Sequence, residues 1–159
     1  MMKARSARRS DCAGILKLAR EAHKSSRFKK LAFNEAACLD AIQRHIGFGL
    51  PPSIGATALF VVGGEKIEAA LGATCTPLYG CLGATLITDT FWFSSRAAHS
   101  RSGLEVLAAF HRWAAQCDGP YVIRQGVTDF IAEDPSRAGA LLGRKGFRKA
   151  GHIYEKDCL

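Results

Sequence analysis

The chain has 159 residues, a formal net charge of +8 and a hydrophobic content of 48%. This length suits a single domain with a sizeable core, and the apolar content excludes an intrinsically disordered chain. The longest apolar run, near residues 56–62, has the length of a strand and not of a membrane-spanning helix.

Taken in chain order, hydrophobic periodicity and turn residues predict the succession β-α-α-β-β-β-α-β-α-β. Helices are predicted at 11–23, 34–45, 103–116 and 135–145, and strands at 3–8, 57–62, 68–77, 82–93, 121–126 and 147–158. Asp11 and Asn34 are the predicted N-caps, Gly63-Gly64 a hairpin turn, and Gly146 the helix stop. The order predicts one α/β domain, residues 1–159, with a single mixed sheet.

Within these elements the apolar spacing predicts which side chains are buried. The predicted inward residues of the helices are Ile15, Leu16, Leu18 and Ala19; Ala37, Leu39 and Ile42; and Leu104, Leu107, Ala108 and Trp113, flanked by Val106 and Phe110. The strand 121–126 is predicted to be buried, and the strand 82–93 to bend near Thr85.

The amino-terminal segment MMKARSARRSD is basic but leads into no apolar stretch, which argues against a secretory signal and predicts a cytoplasmic protein. The positive charge indicates an anionic partner, which could be nucleic acid, a phosphorylated cofactor or an acidic substrate. Because the cations cluster only at 3–9 and 24–30, a nucleic-acid interface is disfavoured.

The spacing of the cysteines argues against a metal site. No pair is two residues apart and no Cys–His pair has ligand spacing, so no metal is expected and no Cys–His pair stands out as nucleophile and base. In a reduced cytoplasm they are interpreted as small core residues. The six cysteines are Cys12, Cys38, Cys75, Cys81, Cys117 and Cys158.

The stretch TDTFWFSSRAAHSRSGLEVL, residues 88–107, is the most informative part of the chain. It is interpreted as a strand, a polar turn of small residues and an amphipathic helix. The first N–H groups of such a helix, together with the positive end of its dipole, can bind phosphate. The alternative is an ordinary strand-to-helix turn.

Four segments, in this order along the chain, are similar to segments of a known family: Ser6–Asp11, His23–Phe28 with Phe33-Asn34-Glu35, Phe91-Trp92-Phe93 through Leu104, and Leu141–Phe147 with Ile153–Lys156. By these segments and its order of elements the chain resembles the GNAT superfamily of acetyl-CoA-dependent N-acetyltransferases, and most of all its small phage and bacterial members. The resemblance implies a mostly antiparallel mixed sheet flanked by helices, acetyl-CoA as co-substrate, an amine as acceptor, and a homodimer as a common assembly.

The family's pyrophosphate loop has Arg or Gln, two residues, Gly, one residue, and Gly or Ala, and this chain departs from it. With His99 in the first place, Ser102 and Leu104 replace the glycines; with Ala98 there, Arg101 replaces the first and Gly103 supplies the second. The second alignment is preferred, since it keeps a glycine where the helix is predicted to begin. The resemblance implies that the cofactor is bound by Phe93, Ser94, Ser95, Ser100, Arg101, Ser102, Gly103 and Leu104.

The reaction implied by the resemblance is direct attack of an amine on the thioester, which needs a proton acceptor and a polarised carbonyl. Asp89 is the candidate base, the alternative being a solvated strand-end carboxylate. Glu68 is interpreted as a surface-loop residue. The position where many relatives carry a tyrosine acid holds Leu142, so Tyr154 is the substitute candidate, unless it only packs on the sheet.

The loop after the first helix borders the acceptor site in this superfamily, which makes His23, Ser26, Arg27 and Phe28 candidate substrate residues. The other histidines are interpreted as surface or helix-face residues. Two further functions remain open: a GNAT-fold module without turnover, favoured by the degenerate loop and Leu142, and a basic nucleic-acid-binding domain.

Overall fold

The structure, a computed structural model, describes residues 3–47, 50–95, 100–127 and 135–151. The chain divides into two compact units, Met1–Gly126 and Val127–Leu159. The described elements of the first unit are β1 (Arg5–Ser6), a short 3₁₀ helix (Arg9–Asp11), α1 (Cys12–Ser25), α2 (Glu35–His45), β2 (Thr57–Gly63), β3 (Ile67–Pro77), β4 (Thr85–Ser94), α3 (Ser100–Ala114) and β5 (Tyr121–Arg124). The second unit contains α4 (Pro135–Arg144).

The strands form one sheet in the order β1-β2-β3-β4-β5. Neighbours are antiparallel from β1 to β4, whereas β4 and β5 are parallel. The mixed, mostly antiparallel sheet predicted from the sequence is therefore confirmed. The predicted closing strand is absent from residues 147–151, and its remaining residues lie outside the described part of the chain.

Alternation along β2 sorts the helices onto opposite faces of the sheet. Leu59 and Val61 belong to a core cluster with Ile15 of α1 and Ile42 of α2. Phe60, between them, meets the Trp113 ring of α3 at 6.1 Å between centroids. Helices α1 and α2 thus cover one face, and α3 covers the other.

The centre of the α3 face is Phe110, whose side chain is 0% exposed. Phe110→Ala is expected to lower the free energy of unfolding by about 3–5 kcal/mol, because it removes a large buried ring and leaves a cavity. Urea unfolding measures the change. Arg112→Ala, at an exposed position of the same helix, is the control and should change stability by less than about 0.5 kcal/mol. Equal effects of the two substitutions would contradict this packing.

Asp11 occupies the N-cap position of α1 as predicted, but it has a helical backbone conformation and its side chain makes no hydrogen bond to the first turn. Its carboxylate accepts hydrogen bonds from Nη1 and Nη2 of Arg5, at 2.7 and 2.8 Å, and from Arg8 N at 2.7 Å. The Arg5 hydrogen bond is the main reason why the pKa of Asp11 lies below its usual value. This turn limits β1 to Arg5–Ser6, shorter than the predicted strand.

Other local predictions have mixed outcomes. Asn34 accepts a hydrogen bond from Ala37 N at 3.0 Å, which confirms it as an N-cap, and Gly146 follows α4 at φ +88° as predicted. Ala37, predicted to face inward, is exposed. The strand predicted at 121–126 ends at Arg124, and Tyr121 is exposed on it, because β5 is the edge of the described sheet.

Candidate functional site

The parallel strands β4 and β5 pair only from Thr85↔Tyr121 to Thr88↔Arg124. Beyond that point β4 continues to Ser94 with β3 as its partner. No other described strand pairs with the opposite edge of this last part of β4. The divergence of the strands therefore leaves backbone groups of β4 open to a ligand.

A β-bulge lies at the start of this open segment. Ala73 of β3 faces Asp89 and Gly72 faces Phe91, so Thr90 is an additional residue without an opposite partner. A Cβ on Gly72 would come within 2.7 Å of the Phe91 ring, so glycine is required for this close contact. The irregularity of the strand is thus at Thr90, and β4 begins at Thr85, where the sequence predicted a bend within a longer strand.

Asp89 lies where the two strands diverge. Its Oδ1 accepts a hydrogen bond from Gly126 N at 3.2 Å, which joins β4 to the segment after β5. Burial raises the pKa of this carboxyl above its ordinary value, although the Gly126 hydrogen bond acts in the opposite direction. Asp89 is therefore a partly buried proton acceptor beside an open strand edge.

His45, the last residue of α2, is 7% exposed, so of the two interpretations from the sequence it is a helix-face residue and not a surface residue. Its Nδ1 lies 2.7 Å from the Ala41 carbonyl oxygen, which can only accept, so Nδ1 donates there. Its Nε2 lies 2.9 Å from Thr90 Oγ1. In the neutral ring Nε2 accepts a hydrogen bond from the Thr90 hydroxyl group, so His45 holds the bulged residue in place.

Burial is the main reason why the pKa of His45 is lowered from 6.5, and the Arg44 charge lowers it further. The unfolded state then takes up the proton first as the pH falls through 6.5, so the free energy of unfolding should decrease below that pH. In His45→Gln this decrease should be smaller. Urea unfolding at about pH 7.5 and about pH 5.5 tests the difference. Identical pH dependence in both proteins would contradict the buried neutral ring.

The end of β4 and the first turn of α3 are joined through Glu68 on β3. Ser95 N donates to the Glu68 carbonyl oxygen at 2.7 Å, and Ser102 Oγ donates to Glu68 Oε2 at 2.6 Å. Glu68 is thus a strand residue with defined partners, and not the surface-loop residue interpreted from the sequence. It fixes where α3 begins relative to β4.

The first turn of α3 contains most of the predicted cofactor residues. The described helix begins at Ser100, before the predicted start at Gly103. Arg101 is exposed, whereas Ser102 is buried and Leu104 half-buried. A Cβ on Gly103 would lie 3.5 Å from the Trp92 ring, so this glycine packs against β4.

Two buried N–H donors near the divergence lack a hydrogen-bond partner: Trp92 Nε1 and Gln125 Nε2. Trp92 lies on the open part of β4, and Gln125 directly follows β5. The other amide atom of Gln125, Oε1, lies 3.0 Å from His111 Nε2 of α3. Buried donors without partners are rare in folded proteins, and they are available to acceptor atoms of a ligand.

The predicted substrate residues come together in one turn at the end of α1. Ser26 is buried, donates through Oγ to the His23 carbonyl oxygen at 2.9 Å and accepts from Phe28 N at 3.1 Å. The Arg27 guanidinium lies 4.7 Å from the centre of the Phe28 ring. The His23 ring contacts Phe33 at 5.3 Å. Ser26 therefore shapes this turn, and the other side chains form its surface.

Two candidates concern the carboxyl-terminal part of the chain. Leu142 is a buried residue of α4 and supplies no acidic proton. Tyr154 lies outside the described residues, as does His99. Phe93 and Ser94 are at the end of β4, half-buried and exposed respectively.

Within the described residues no helix is long and apolar enough to cross a bilayer. The same part of the chain contains no group of three or more His, Cys, Asp or Glu side chains arranged to hold a metal ion. Cys12 and Cys75 are buried as expected for core residues, but Cys81 is exposed.

Sequence reasoning missed His45 and Glu68 as parts of the site. The spacing of α2 gives a signal for His45, since Ile42 lies three residues earlier on the same face. For Glu68 the signal is the strand pattern after the hairpin turn, which shows a residue in a strand but not its partner.

Solved acetyltransferase structures match this fold over the full length of the chain, which confirms the resemblance at the level of the fold. No protein-family model matches the sequence, and no curated protein matches it either.

Solved structures match over the full length of the chain. The aminoglycoside N-acetyltransferase AAC(6')-Iy, in complex with the bisubstrate analogue CoA-S-monomethyl-acetylneamine, is 13% identical with a TM-score of 0.65 and 99% of each chain covered. A Trypanosoma brucei acetyltransferase is 10% identical with a TM-score of 0.65 and 99% of each chain covered. A transcriptional regulator from Bacillus halodurans C-125 is 20% identical with a TM-score of 0.62 and 100% of each chain covered.

Proposed function

We propose that this chain is an N-acetyltransferase that moves an acetyl group from acetyl-CoA to an amine. The observation that carries the proposal is Asp89, a partly buried carboxylate with a raised pKa where β4 and β5 diverge. A proton acceptor beside an open strand edge is what direct attack of an amine on a thioester requires. Similarity in fold to solved acetyltransferases supports the choice of reaction.

The proposed reaction consists of attack by the amine, transfer of a proton and departure of the thiolate. The amine nitrogen attacks the thioester carbonyl carbon, and Asp89 accepts its proton directly or through water. The carbon–sulfur bond then breaks, and the CoA thiolate leaves and takes up a proton. A thiol is acidic enough to leave without a strong acid, so Leu142 is compatible with turnover. Tyr154 remains a candidate donor.

The proposed cofactor site comprises the end of β4 and the first turn of α3. Ser95 N already donates to Glu68, so carbonyl polarisation and pantetheine pairing are assigned to the backbone of Phe93 and Ser94. The exposed Arg101 and the N–H groups of Ser100–Leu104 are assigned to the diphosphate. The unpaired donors of Trp92 and Gln125 are further candidates for the amide oxygens of the pantetheine arm.

A second candidate is a protein of this fold that does not turn over acetyl-CoA. The observation that favours it is the Glu68 carboxylate, which lies 2.6 Å from Ser102 Oγ in the first turn of α3 and would repel a diphosphate placed there. One solved structure of similar fold is described as a transcriptional regulator and not as an acetyltransferase.

Two measurements on a mixture of amines test the proposal. The first is the release of free CoA from acetyl-CoA, and the second is mass spectrometry of the amines. The expected result is amine-dependent CoA release together with an acetylated amine. Binding of acetyl-CoA without either product would favour the second candidate.

A further inference from the structure

The candidate acceptor surface lies on the face of the sheet covered by α1 and α2, and its apolar part is aromatic. Phe33, Phe91 and Phe93 are all partly buried and all pack against the same core cluster. The Phe91 and Phe93 rings are stacked, with centroids 5.2 Å apart and an angle of 17° between planes. Partly exposed, stacked rings suit an aryl group better than a flexible polar chain.

Apart from Asp89, the candidate base, the polar side chains beside these rings are uncharged. The exposed Thr90 interrupts the strand beside Phe91, and its hydroxyl is bonded to the buried His45 ring. That ring also meets Phe91 edge-on at 5.1 Å. A hydroxyl in a fixed position can orient an amine, but it does not attract a polycation as a carboxylate would.

The charged part of the surface is basic. Residues 24–34, from the last turn of α1 to the start of α2, contain Lys24, Arg27, Lys29 and Lys30 and no carboxylate. The three lysines are exposed.

The acidic residues of α2 that are nearest in sequence to this basic segment already have partners. Glu35 forms an ion pair with Arg20, and Asp40 pairs with Arg44 within the helix. Glu21, exposed on α1, is one further carboxylate against four cations, so the local field is positive, which repels multiply charged cations and attracts anions.

We infer that the acceptor is an arylalkyl amine that also carries an anionic group, and not a polyamine or another polycation. The aromatic part would lie against Phe91 and Phe93, the amine would approach the divergence of β4 and β5, and the anionic group would face Lys29 and Lys30. This inference rests on the proposed acetyl transfer and specifies its substrate class.

A series of benzylic amines tests the inference. With acetyl-CoA saturating, kcat/KM is measured by mass spectrometry for para-(aminomethyl)benzoate, benzylamine and para-xylylenediamine, which carry a carboxylate, no substituent and a second ammonium group opposite the amine, and for spermidine. The expected order falls from the carboxylate to the diamine by about tenfold or more, with spermidine lowest.

Lys29→Glu with Lys30→Glu should reverse that order. The control, Lys66→Glu with Arg112→Glu, changes the net charge equally at the β2–β3 turn and on α3 and should preserve the order. The acceptor class is overturned, while acetyl transfer stands, if the unmodified protein acetylates the diamine or spermidine fastest. An unchanged order of substrates in the loop variant has the same consequence. Absence of any acetylated amine and of acetyl-CoA cleavage overturns both.

Discussion

Asp89→Asn is expected to lower kcat about a hundred- to ten-thousand-fold, because the amide cannot accept the proton of the attacking amine. The amide oxygen can still accept the hydrogen bond from Gly126 N, so the divergence of β4 and β5 should be preserved. The deficit should be largest at low pH, where more of the amine carries the proton that must be removed. Steady-state rates across pH, together with acetyl-CoA affinity, measure both properties.

Stability provides the control for Asp89. Its raised pKa means that the native state prefers the protonated carboxyl, so the charged form lowers stability progressively as pH rises above 3.8 through the native pKa. Asp89→Asn should therefore be at least as stable as the unmodified protein at neutral pH. Asp89→Ala also removes the bond to Gly126 and should lose both turnover and stability. An unchanged rate in the Asn variant would assign the base to another residue.

Arg101→Glu is expected to weaken acetyl-CoA binding about ten- to a hundredfold, equivalent to about 1.5–3 kcal/mol for a lost charge-assisted hydrogen bond. Arg101 is exposed on the first turn of α3, so the substitution should leave the fold intact. The new carboxylate would oppose the diphosphate at a helix end that favours anions. Calorimetric titration with acetyl-CoA measures the affinity.

The control for Arg101 lies on the same helix. Arg112→Glu makes the same charge change in the last turn of α3 and should alter affinity little. Retention of full affinity in Arg101→Glu would place the diphosphate elsewhere. Equal losses in both variants would indicate a long-range charge effect instead of a contact.

Much of the fold could be predicted because the relevant signals are local. Asn34 caps a helix through a bond to a residue three positions later, and the glycines at 63 and 64 mark a hairpin between strands of clear β character. Asp11 shows the limit. The carboxylate of a cap residue can accept hydrogen bonds from other donors, and here it accepts them from the guanidinium of Arg5.

The candidate site was predicted less completely, since it depends on pairings between distant segments. The stretch 88–107 does contain the end of β4 and the start of α3. The bulge at Thr90, however, follows from the register against Gly72 and Ala73, and no local pattern fixes that register. Likewise the bond between His45 and Thr90 joins residues 45 positions apart. Such contacts arise from tertiary packing.

An equilibrium titration of the purified chain with acetyl-CoA tests most directly whether the end of β4 and the first turn of α3 bind this cofactor. We predict saturable binding with a dissociation constant below the millimolar range, accompanied by a rise in Tm and weakened in Arg101→Glu. No heat of binding and no change in Tm at millimolar acetyl-CoA would contradict it.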